Sequence, residues 1–102
     1  MAYEIALRIV AGRKAVGTPG IAEKFVAVST YCYRIDVCAD IGNTNPVVIG
    51  GSDVVAASGS QKGIILIPGN PPITILIDDV SKVYVDAITA ADAVCFTYYA
   101  NP

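Results

Sequence analysis

The 102-residue chain contains no histidine. Thiol and hydroxyl nucleophiles draw their reactivity from an adjacent base, most often an imidazole, so Cys32, Cys38 and Cys95 lack their usual activator. A Ser81–Lys82 dyad fails as well, because neighbouring residues on an extended chain point apart. Charge is scarce: 16% of residues are Asp, Glu, Lys or Arg, against about 25% in soluble domains. The net charge is −2, and the seven basic residues are scattered singly apart from Arg13-Lys14. A nucleic-acid groove needs clustered cations to displace counterions, so that class is excluded. No apolar run approaches the roughly 18 residues of a membrane-spanning helix. The opening MAYEIALRIVAGRK carries charge where a secretory leader is apolar, and the expectation is a chain made and kept in a cytoplasm.

Leucine is rare too, at three residues, against thirteen Val and thirteen Ile. β-Branched side chains lose χ1 freedom in helices and pack well in strands. With six Tyr, nine Gly and six Pro, the composition reads as all-β with many turns. The length suits one domain, residues 1–102. So small a body has much surface per volume, and with so few charges some apolar side chains must stay outside its core. Large exposed apolar patches mark partner interfaces, so a homo-oligomer or assembly component is expected.

Hydrophobic alternation gives the elements. YEIALRIV places Tyr3, Ile5, Leu7 and Ile9 on one face, and AGRK reads as a tight turn. KFVAVSTYCYRIDVC, residues 24–38, is the longest extended run, with a bend expected at Ser29-Thr30. VVIGG, IILI, ITILID, VYVDA and VCFTYY are short strands, and SDVVAAS is a weaker one. In VYVDA, Val83 and Val85 point inward and Tyr84 and Asp86 outward. Gly50 and Gly51 are expected to supply positive φ at a turn. Seven or eight strands at roughly 8–12-residue spacing define an antiparallel β-sandwich, jelly-roll-like, or a small barrel.

LIDDVSKVYVDA, residues 76–87, holds the densest set of reactive groups. Asp78 and Asp79 point to opposite faces and do not converge on one bond, as acid–base catalysis requires. Asp86 shares a face with Asp78 only across a hairpin. Calcium loops want Gly at the sixth position, where Val83 stands. DIGNTN offers Asp40, Asn43 and Asn45, a looser oxygen cluster that reads as a turn. The expectation for DDVSK is a corner in which Asp79 and Ser81 satisfy local amides and Lys82 neutralises a carboxylate. VVIGGSDV lacks the lysine of a phosphate loop. No catalytic, cofactor-binding or metal-ligating residue is assigned. Tyr31, Tyr33, Tyr84, Tyr98 and Tyr99 are able to stack on sugar rings, or equally to serve an interface. Cys32 and Cys38, on one extended run, are too far apart to bridge. Either is left open as a partner for Cys95, with reduced thiols expected.

Four stretches share a pattern: VVIGGSDV at residues 47–54, GIILIPG at 63–69, ILIDDVSKVYV at 75–85 and VCFTY at 94–98. Together they resemble small virion proteins of tailed bacteriophages. PGNPP departs from the commoner single Pro-Gly of that pattern. The resemblance covers about half the chain and implies a small sandwich on the outside of the particle. It implies a head decoration (cement) protein, often trimeric, bound to the major capsid protein, and a localisation in the virion after synthesis in the host cytoplasm. A fibre-associated glycan-binding module is the alternative. Neither role includes chemistry, a cofactor, nucleic acid or a membrane.

Overall fold

The computed structural model describes residues 8–100. Tyr3, Ile5 and Leu7 lie outside them. Among the described residues eight strands occur: β1 (Arg8–Ala15), β2 (Glu23–Lys24), β3 (Arg34–Ala39), β4 (Val47–Gly50), β5 (Ile64–Leu66), β6 (Ile73–Ile75), β7 (Tyr84–Ala87) and β8 (Ala93–Ala100). They form two four-stranded antiparallel sheets, β1-β8-β3-β6 and β2-β7-β4-β5. The first strand pairs with the last, the second with the seventh, the third with the sixth and the fourth with the fifth. Such nesting is one long hairpin rolled into a sandwich, the jelly-roll arrangement. A single 3-10 turn, Val80–Lys82, interrupts the β6–β7 connection.

The alternating positions of the two sheets face each other. Ile35 and Val37 of β3 and Val94 and Phe96 of β8 meet Val47 and Ile49 of β4 and Val85 of β7. Removing each such side chain from water is worth about 1.5–3 kcal/mol. Phe25 and Phe96 pack with ring centroids 4.9 Å apart and their planes tilted by 31°. β4 is buried on both faces: Val48 lies under the β4–β5 loop with Val54 and Ala56 in a small second core.

The elements differ from the sequence expectation in five places. AGRK is not a turn: β1 runs straight through it and pairs with β8 from Arg8↔Ala100 to Ala15↔Ala93. Gly12 permits this by closeness rather than flexibility, since a Cβ there would lie 2.5 Å from the Phe96 ring. Ile9 points outward and is exposed, because the ladder register puts Val10, Gly12 and Lys14 on the inner face. The run 24–38 is not one strand. Between β2 and β3 the chain crosses from one sheet to the other, turning near Ser29-Thr30, and its alternation slips so that Tyr31 and Tyr33 are exposed and Cys32 is buried. SDVVAAS contributes only an isolated bridge, Val55↔Lys62. Finally, neither Gly50 nor Gly51 has positive φ. Gly50 leaves room for Val54, whose Cγ1 would be 2.7 Å from a Cβ there.

Candidate interaction surface

The acidic residues are joints of the fold. Asp79 is buried and accepts from the Ser29 hydroxyl, the Thr30 amide and both the amide and hydroxyl of Ser81. These donors, the Ser29 hydroxyl foremost and the Thr30 amide next, hold its carboxyl well below the usual range. Thus Asp79 ties the β2–β3 crossing to the β6–β7 corner. Lys82 meets the exposed Asp78 at 2.9 Å, a pair of little energetic consequence at the surface.

Asp86 corrects an expectation. It does sit on the outer side of its sheet, but it is 1% exposed rather than solvated. Its carboxylate accepts amides from Gly20 in the β1–β2 loop, from Ala56 in the β4–β5 loop and from Ala87, each at 2.9 Å. Those loops close over it. Asp92, also buried, accepts the Thr44 and Asn45 amides at 2.9 Å and so fixes the β3–β4 loop.

The oxygens of DIGNTN do not converge on a cation. Asp40 is engaged by Arg13, at 2.7 and 2.9 Å, and by the Gly42 amide. Asn43 brackets the backbone of Ala93, donating to its carbonyl at 2.8 Å and accepting its amide at 2.7 Å. Asn45 donates to the Thr89 hydroxyl. Among the described residues, no group of three or more Cys, Asp or Glu side chains is placed to hold a metal ion.

On the outer face of the β1-β8-β3-β6 sheet, polar groups bond one another. Asp36 receives the Thr74 hydroxyl at 2.6 Å and the Arg34 guanidinium and Tyr99 hydroxyl at 2.9 Å, and its pKa falls to about 2, through Thr74 first and Arg34 next. Arg34 also covers the Tyr99 ring, its Cζ 4.8 Å from the centroid.

Apolar surface is left chiefly at the ends. The β1–β2, β3–β4 and β7–β8 loops gather at one end: the Val16 amide donates to the Asp92 carbonyl and the Ala91 amide to the Val16 carbonyl. This end exposes Ile21, Ile41 (83%) and Ile88. It contains both AVGTPG and DIGNTNP. The opposite end exposes Val28, Tyr31 (77%) and Leu76 (81%). There a groove of about 420 Å³ is lined by Tyr31, Tyr33 and Tyr98 among others. Tyr84 is half-buried against the second core and Tyr99 is occupied by Arg34, so neither joins that groove. Edge strand β5 adds partly exposed Ile64 and Ile65, followed by Ile67.

Sequence reading found the greasy exterior but not its distribution. The local part of the DDVSK corner was legible, since the Ser81 amide bonds Asp79 and Lys82 meets Asp78 as expected; the donors from Ser29, Thr30, Gly20, Ala56, Thr44 and Asn45 lie far off in sequence and leave no local pattern.

The fold and its pinned loops define a jelly-roll sandwich with apolar ends. Comparison with protein-family models, curated proteins and solved structures gives no match.

Proposed function

We propose that this protein is a structural component of a phage virion, a decoration protein that binds the outer head as a homo-oligomer, a trimer favoured, and stabilises the shell. The observation that carries the reading is the end bearing Ile21, Ile41 and Ile88, whose loops are held by Asp86 and Asp92. Exposed isoleucines on mobile loops would lose affinity to ordering. On loops already tied to buried carboxylates, that cost is largely met in the free protein. Contact with the major capsid protein then buries apolar area worth roughly 25 cal/mol per Å² before association costs. The role requires no reaction, cofactor or nucleic acid. The protein is made in the host cytoplasm and ends in the virion.

The fold alone does not choose, since jelly rolls serve in capsids and in lectins. The tyrosine-lined groove favours a second reading, a glycan-binding module on a fibre, because aromatic faces stack on sugar rings. The deciding experiment mixes purified protein with undecorated heads and follows co-sedimentation, with light scattering on the protein alone. A trimer that co-sediments supports decoration. A monomer that stays in solution and is thermally stabilised by a sugar overturns it in favour of the module.

A further inference from the structure

The pairing of β3 with β8 places Cys38 directly opposite Cys95. Both side chains point to the outer face, since Val37 and Ala39 on one strand and Val94 and Phe96 on the other are buried inward. The Asp40 amide donates to the directly opposed Ala93 carbonyl at 3.0 Å, which places opposed residues of this phase at hydrogen-bonding positions of the ladder. The pair two residues along, Cys38 with Cys95, is of the same kind. Its Cα atoms then lie about 5.5 Å apart, within the roughly 4.4–6.8 Å that disulfides span. Both residues line a shallow recess of about 390 Å³ between Ala11 and Pro72, open enough for a small thiol reagent. Cys32 belongs elsewhere: it is buried, and its thiol donates to the Ile77 carbonyl at 3.2 Å.

We propose that Cys38 and Cys95 form a reversible disulfide, a redox-responsive clasp across the outer face of the β1-β8-β3-β6 sheet. The oxidant class is a small disulfide such as oxidised glutathione. One protein thiolate attacks it, a mixed disulfide forms and one glutathione thiolate leaves. The second protein thiolate attacks the mixed-disulfide sulfur on the first cysteine, the Cys38–Cys95 bond forms and the second glutathione leaves. The two protein thiol protons end on two reduced glutathiones, and two electrons pass from the cysteines to the reagent. Burial, then the Asp40 charge, raises the Cys95 thiol, while Arg13 opposes the rise, so closure accelerates towards alkaline pH.

The bond is readily reduced on geometric grounds. Directly opposed residues keep their Cβ atoms about 4.5–5.5 Å apart, whereas a relaxed disulfide wants about 3.5–4.5 Å. Closure has to pinch the ladder, and strained exposed disulfides are the labile ones. A reducing cytosol holds the clasp open and an oxidising medium closes it.

Incubating the folded protein with oxidised glutathione at mildly alkaline pH is the test. Two of the three thiols are expected to vanish, the intact mass to fall by two hydrogen atoms, and peptide mapping to join the fragments carrying Cys38 and Cys95. Excess reduced glutathione is expected to restore all three thiols. Cys32→Ser forms the same link, whereas Cys95→Ser leaves Cys38 only as a glutathione adduct. Stable adducts on both cysteines, a link through Cys32, or no reaction would overturn the clasp. A link that survives reduced glutathione would overturn its reversibility.

Discussion

At the scale of single residues, space and hydrogen bonding decide more than intrinsic preference. Gly12 sits in mid-strand, where glycine is ordinarily a weakness, because β1 passes close over the Phe96 ring. Gly12→Ala is therefore expected to destabilise by about 1–3 kcal/mol, as overpacking does; a denaturant midpoint at or above that of the parent would refute it. Asp36 makes a different kind of prediction. Its folded pKa is lowered from 3.8 to about 2 by Thr74 and then Arg34. A lowered carboxylate pKa contributes stability that is present above the unfolded value and lost as pH falls through the folded one. Asp79 is lowered in the same direction. Stability should thus decline from about pH 4 towards pH 2, and no imidazole exists to add a transition near pH 6. Urea midpoints measured across that range check the sign, and Asp36→Asn should flatten part of the acid limb.

At the scale of elements, what alternation alone controls was readable. VCFTYY carries its inward Val94, Phe96 and Tyr98 as expected in β8, and β4, β6 and β7 fall where the β-branched runs predict. What failed depends on partners distant along the chain. AGRK stays extended because β8 supplies eight residues that pair along the whole of β1. Residues 24–38 break because Asp79 captures the Thr30 amide and the Cys32 amide donates to the Asp78 carbonyl. No local window contains those facts. The carboxylate joints predict selective loosening. Asp92→Ala orphans the Thr44 and Asn45 amides, and lost bonds to a charged acceptor cost about 1.5–3 kcal/mol each where water cannot replace them. Global stability should fall by about 2–4 kcal/mol. Amide hydrogen exchange should quicken first at Thr44 and Asn45 while β8 stays protected; uniform quickening would show that Asp92 does not act as a local tie.

At the scale of the whole molecule, a surface rich in isoleucine coexists with a core that closes without help. Val47, Ile49, Val85 and Val94 are fully buried within one chain, so these core positions are covered by the chain's own side chains. The outer isoleucines should then be dispensable for the fold. The double variant Ile41→Ser with Ile88→Ser is expected to keep its stability within about 0.5 kcal/mol and, on the proposed decoration role, to wash off phage heads under conditions where the parent is expected to stay bound. Equal retention of both proteins would remove this end from the contact.

The pairing of first strand with last also governs how the molecule comes into being. While residue 90 is still the newest link, β1 lacks its ladder neighbour, for among the described strands it pairs with β8 alone. Long-range closure of this kind is slow. β8 must leave the ribosome before the β1-β8-β3-β6 sheet can be completed, and copies stalled short of that strand leave an extended, sticky β1 available to other half-made copies.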